Sequence, residues 1–168
     1  MIKSYIDKLN KIKNGVEYMQ VKRIDHINII VEDMDKTVDF YVSNLNFQVK
    51  KDTLLDGKWM EGLTGFVKPI SRCVFLELPG DGCRIELLQF LESSGDQLEG
   101  SQLVNSTGLR HVAFEVEDII SLTKRLKENG IEVLSEVITV PSSILPQGKK
   151  LCYFRGPDGV ILELAQYG

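Results

Sequence analysis

Along residues 24–31, Ile27, Ile29 and Val31 alternate with Asp25, His26, Asn28 and Ile30, and the same period of two returns at Val112, Phe114 and Val116. Alternation sends successive side chains to opposite faces. Each stretch therefore predicts a strand with one apolar face and with its histidine, His26 or His111, pointing away from that face. Asp33 and Asp118 follow as helix N-caps, and the helices they open are expected to run to about Leu45 and Asn129, with Gly130 as the C-terminal glycine of the second. Strand signals then resume: Phe47 to Val49, Cys73 to Leu78 and Cys83 to Phe90 in the first half; Ile131 to Leu134, Leu151 to Phe154 and Val160 to Ala165 in the second. Pro79-Gly80-Asp81-Gly82 and Gly156-Pro157-Asp158-Gly159 read as the tight turns of the last hairpins. Each half is thus βαβββ. Ahead of both, residues 1–20 place Ile2, Tyr5, Ile6, Leu9, Ile12 and Val16 at helical spacing, an amphipathic extension outside the repeat.

The halves are copies of one unit. Asp25-His26-Ile27-Asn28-Ile29-Ile30-Val31-Glu32-Asp33 matches Arg110-His111-Val112-Ala113-Phe114-Glu115-Val116-Glu117-Asp118 at a shift of 85 residues, and Asp81-Gly82-Cys83-Arg84-Ile85-Glu86 matches Asp158-Gly159-Val160-Ile161-Leu162-Glu163 at a shift of 77. The difference puts about eight extra residues in the first copy, between Lys51 and Ile70, where a loop absorbs them cheaply. Both histidines of the chain fall on equivalent positions, and each copy supplies one glutamate, Glu86 or Glu163, flanked by apolar residues and so set on the opposite face. A pseudo-two-fold axis between packed copies would bring His26, Glu86, His111 and Glu163 together. Imidazole nitrogen and carboxylate oxygen, without thiolate, suit one divalent first-row cation with positions left open for water or substrate.

Composition narrows the class. A chain of 168 residues with 43% hydrophobic content is expected to form a single domain over residues 21–168, with module one at about 22–92 and module two at about 108–167. With 20 basic and 24 acidic side chains and no basic block, nucleic acid is not an expected partner. No apolar run reaches membrane-spanning length and Met1-Ile2-Lys3-Ser4-Tyr5 does not open a secretion signal, so a cytoplasmic protein without a membrane partner is expected. Cys73, Cys83 and Cys152 form no Cys-x-x-Cys pair and read as reduced thiols. The apolar stripe of residues 1–20 needs cover, and a homodimer is the expected assembly.

The repeat, the strand openings at His26 and His111, Arg84-Ile85-Glu86-Leu87-Leu88 and Arg155-Gly156-Pro157-Asp158-Gly159-Val160-Ile161-Leu162-Glu163-Leu164 resemble the vicinal oxygen chelate superfamily, which includes glyoxalase I, methylmalonyl-CoA epimerase, extradiol dioxygenases and fosfomycin-resistance enzymes. The resemblance covers residues 22–167. It implies an α+β fold, two βαβββ modules in tandem forming a curled mixed sheet around a metal cavity, with His26, Glu86, His111 and Glu163 holding one divalent ion (Zn, Ni, Co, Mn or Fe). It further implies a glyoxalase I-like lyase or isomerase acting on a small α-oxo or thioester substrate through an enediolate, with Glu163, or its counterpart Glu86, moving the proton. Ile30 and Phe90 stand where glutathione-binding members carry polar or basic contacts, which leaves a different thiol, a CoA ester or another α-oxo acid derivative as substrate. The alternatives are a methylmalonyl-CoA-type epimerase, an Fe(II) dioxygenase using His26, His111 and Glu163, and a metal-free ligand-binding or resistance protein.

Overall fold

The computed structural model describes residues 22–80, 82–92 and 103–168. Alternation becomes strand at β1 (His26–Ile30), and after Asp33 the chain turns into α1 (Met34–Leu45). Asp33 caps α1 by accepting a hydrogen bond from the Lys36 amide at 3.0 Å, and Asp118 does the same for the Ser121 amide at 3.0 Å. Each cap satisfies an N–H group that the first helical turn would otherwise leave unpaired. The first module continues with β2 (Gln48–Leu55), α2 (Lys58–Thr64), β3 (Ser71–Glu77) and β4 (Arg84–Phe90). The second has β5 (His111–Glu115), α3 (Ile119–Glu128), β6 (Ile138–Thr139), β7 (Lys149–Arg155) and β8 (Ile161–Tyr167). Gly130 follows α3 with φ 74°, the left-handed conformation expected of a residue just past a helix end.

Each module forms its own four-stranded sheet, in the orders β1-β4-β3-β2 and β5-β8-β7-β6. The first and last strands of each module run parallel and the remaining pairs antiparallel. This is the tandem βαβββ, α+β architecture expected, with one difference: the curled surface is built from two separate sheets and not from one. β1 and β5 exchange no ladder bonds. One apolar core unites the modules, where Met34 and Tyr41 of α1 and Ile119 and Leu126 of α3 pack with Val74, Leu76, Ile85, Leu87, Phe154, Leu162 and Leu164 from both sheets. Phe47 meets Phe114 edge to face across the seam, with ring centres 5.7 Å apart, and Arg125 donates to the Asn44 carbonyl.

Two expectations change. The segment after Lys51 is not a loop: β2 runs on to Leu55 and α2 follows, entered through Gly57 at φ 88°, a conformation that Gly adopts without the steric cost of a Cβ. Ile131 to Leu134 does not form a strand. Only Val133 bridges Phe154 there, and the edge of the second sheet is Ile138–Thr139. The amphipathic extension at residues 1–20 lies outside the described residues, as does Asp81 of the first hairpin turn. Among the described residues no helix is long and apolar enough to cross a membrane.

Candidate functional site

Strand pairing positions the site. In module one, parallel pairing sets Asn28 opposite Glu86, and the β3–β4 hairpin sets Phe75 opposite Glu86 on its other side. In module two, Ala113 and Tyr153 flank Glu163 in the same way. Sharing a sheet face, His26 Nε2 lies 3.2 Å from Glu86 Oε2, and His111 Nε2 lies 3.3 Å from Glu163 Oε2. The two histidines are equally accessible, each with 37% of its side chain exposed.

The expected convergence of all four side chains is not formed. Among the described residues no three His, Cys, Asp or Glu side chains gather closely enough to hold one ion, so the candidates stand as two His–Glu pairs, one per module. Each pair is fixed by main-chain hydrogen bonds within its own sheet, whereas side-chain packing and side-chain hydrogen bonds relate one module to the other. Two carboxylates also repel, and nothing draws them together unless positive charge lies between them.

The pairs differ in what surrounds them. Asn28 Nδ2 donates to Glu86 Oε2 at 2.9 Å, and the Cys73 thiol lies 3.5 Å from Oε1. Burial, reinforced by the neighbouring Glu86 carboxylate, pushes the Cys73 thiol up to about 11, so it stays protonated near neutral pH. Behind His26, Nδ1 contacts Asp25 Oδ2 at 2.9 Å, and Arg84 also bonds that carboxylate. These bonds, first His26 and then Arg84, hold the Asp25 carboxyl below its ordinary value. In module two the neutral donors are gone. Lys149 Nζ lies 2.8 Å from Glu163 Oε1, in an ion pair with only 19% of the lysine and 5% of the glutamate side chain exposed. The hydrogen bond to Glu163 holds the Lys149 ammonium above its ordinary value, against the opposing effect of burial. The Tyr153 ring packs against His111 with centres 5.2 Å apart.

A cleft of about 460 Å³ opens between β1 and the start of β5 and β8. Asn28, which holds Glu86, and His111, which faces Glu163, both line it, together with Arg110 and the Asp158–Ile161 segment. Sequence reasoning passed over Asn28, Tyr153 and Lys149. Asn28 and Tyr153 carried a usable signal: Asn28 lies two residues after His26 on the same strand face, and folding the hairpin about Gly156–Gly159 sets Tyr153 against Glu163.

The profile of the glyoxalase/bleomycin resistance protein/dioxygenase superfamily matches residues 23–164. The chain belongs to this superfamily. Among its relatives, the Bacillus subtilis protein YwkD is 34% identical over 146 residues, which span 87% of this chain and 98% of that protein. The ethylmalonyl-CoA/methylmalonyl-CoA epimerase of Cereibacter sphaeroides is 29% identical over 87% of this chain and 98% of its own length. The crystal structure of a glyoxalase family protein from Bacillus cereus superposes with a TM-score of 0.80 at 27% identity, covering 91% of this chain and 99% of that one.

Proposed function

We propose that the chain is a divalent-metal-dependent lyase or isomerase that moves a proton at a carbon next to a carbonyl, with an acyl thioester as its substrate class. The observation that carries this reading is the matched His–Glu pair on each module, with Asn28, the partner of Glu86, and His111, the partner of Glu163, lining one cleft. Similarity to the acyl-CoA epimerase, which spans nearly all of that enzyme, supports the thioester.

The donor types suit a divalent cation, and within each pair the spacing matches that of adjacent ligands. Two adjacent ligands, each about 2.1 Å from an ion, stand roughly 3.0–3.4 Å apart between octahedral and tetrahedral angles. The His–Glu separations of 3.2 and 3.3 Å fall within that interval. His26 is backed by Asp25 in the manner of an oriented ligand histidine, and the Cys73 thiol, kept protonated, does not compete as a donor. His26, Glu86, His111 and Glu163 would hold the ion. A divalent ion supplies Lewis-acid stabilisation of the negative charge that develops on a substrate carbonyl during proton removal.

The chain's own groups then divide the work. The histidines serve as neutral donors. Asn28 orients Glu86 through Oε2, and Glu86, held by Asn28 and the Cys73 thiol, takes the α-proton and returns it. Glu163 is held by Lys149 and keeps its place, which reverses the preference for Glu163 that the resemblance alone suggests. Ile30, which shares the β1 face of His26 and Asn28 and lines the cleft, limits water around the reacting carbon.

The test is deuterium uptake from D₂O at the α-carbon of a chiral acyl-CoA, with the hemithioacetal of a 2-oxoaldehyde as second substrate, on protein purified without chelators. Glu86→Gln should slow exchange by roughly 10²–10⁴-fold in kcat with KM little changed, and Glu163→Gln by less. Exchange at the parent rate in both variants would end the proposal.

A further inference from the structure

The two modules share one strand order, so their differences can be read position by position along the matched central strands. His26 matches His111, Glu86 matches Glu163 and Phe75 matches Tyr153. The strand registers also place Ser71, opposite Phe90, on the position of Lys149, opposite Tyr167. Ser71 is fully buried and its hydroxyl has no hydrogen-bond partner among the described residues. At the equivalent place module two sends an ammonium to Glu163. The exchange is complementary, because Asn28, the group that holds Glu86, is replaced by Ala113 in module two. Each carboxylate thus has one dedicated holder, a neutral amide in module one and a full positive charge in module two.

We infer that Lys149 is a built-in competitor for the metal: it shares Glu163 with the ion, weakens ion binding, and fixes Glu163 in place. This rests on the metal reading above. The two oxygens of Glu163 are divided, Oε2 toward His111 at 3.3 Å and Oε1 toward Lys149 at 2.8 Å. An ion seated on His111 and Oε2 has the ammonium one carboxylate away. Within a site this enclosed, that like charge is poorly screened. The lysine has little room to withdraw, since its stem is largely buried and Nζ lies 5.5 Å from the centre of the Tyr167 ring. Two glutamates and one lysine carry a net charge of −1 before any ion arrives, where the module-one arrangement repeated twice would carry −2.

The experiment titrates Mn²⁺, read from loss of the free-ion electron paramagnetic resonance signal, and Zn²⁺, read by competition with a chelating dye. The proteins are the parent, Lys149→Met, Lys149→Gln, Lys149→Arg and Lys150→Met. Lys150, exposed on the other face of β7, controls for charge in general. Lys149→Met and Lys149→Gln should bind about tenfold tighter or more, with Lys149→Arg and Lys150→Met near the parent. Adding His26→Ala to Lys149→Met should abolish the gain, which locates the ion at this site. If Lys149→Met does not fold, Lys149→Gln carries the test, because it keeps an N–H donor without the charge. Equal or weaker ion binding in both neutral variants would overturn the lysine's role and leave the metal reading intact. Absence of ion binding from the parent and from every variant would overturn both. Tight binding by Lys149→Arg equal to that of Lys149→Met would show that charge is not the cause and would overturn the inference.

Discussion

The Lys149–Glu163 pair predicts an inverted response to a second substitution. In Lys149→Met, Glu163 keeps its charge with 5% of its side chain exposed and loses the ammonium that stood 2.8 Å away. Leaving a buried charge without its partner costs about 3–5 kcal/mol. In Glu163→Gln the amide oxygen still accepts from Lys149, and the lysine, 19% exposed, can reach water along its stem, so the loss is nearer 1–3 kcal/mol. The double variant contains neither charge. Adding Glu163→Gln to Lys149→Met should therefore restore about 1–3 kcal/mol and not subtract further, a coupling well above the few tenths of a kcal/mol shown by independent sites. The assay is urea unfolding of the parent, both single variants and the double variant at pH 7 in chelator, with the slope against denaturant checked for constancy. Additive losses, or a Lys149→Met variant within about 1 kcal/mol of the parent, would refute the view that this pair is an enclosed, mutually dependent unit.

Two further outcomes are expected. Hydrogen bonds from Arg72 hold the Asp52 carboxyl below its ordinary value of 3.8. A depressed folded value contributes stability that is complete above 3.8 and lost as pH falls through the folded value, so the unfolding midpoint should drop on acidification below about pH 4, and less so in Asp52→Asn; equal acid sensitivity in the two proteins would count against the bond. Cys73 and Cys152 are buried with their thiols pushed up, whereas Cys83 is exposed. Mass spectrometry after brief maleimide treatment at pH 7 should find Cys83 modified and the other two intact, and early labelling of Cys73 would contradict its place beside Glu86.

What could be read in advance was whatever a short period or a single capping residue encodes. Asp33 and Asp118 mark their helices because an N-cap is a local bargain between one side chain and one amide, and the His–Glu faces follow from period-two alternation on paired strands. The failures lie where tertiary pairing decides. Ile131 to Leu134 has strand-forming residues, yet β7 finds its neighbour at Ile138–Thr139, because β propensity reflects the surface a residue packs on more than the residue itself. α2 has seven residues with Gly62 inside, too short for a helical period to show. Lys149 was the hardest to foresee. A lysine at the start of a strand reads as a solvated end, and only the register of β7 on β8, with the reach of its four-carbon stem, brings it to Glu163.

The seam between the modules has a mechanical meaning. Among the described residues β1 is bonded only to β4 and β5 only to β8, so the line along which the two halves meet crosses no ladder of main-chain hydrogen bonds there. One sheet can rock against the other without a single strand pair opening, and the resistance to that motion comes from side chains such as Phe47, Phe114, Arg125 and Asn44. The joint is stiffened at the helical back of the molecule while the carboxylates sit at the front. A group bound by both modules would therefore tie the gap between Glu86 and Glu163 to this rear packing.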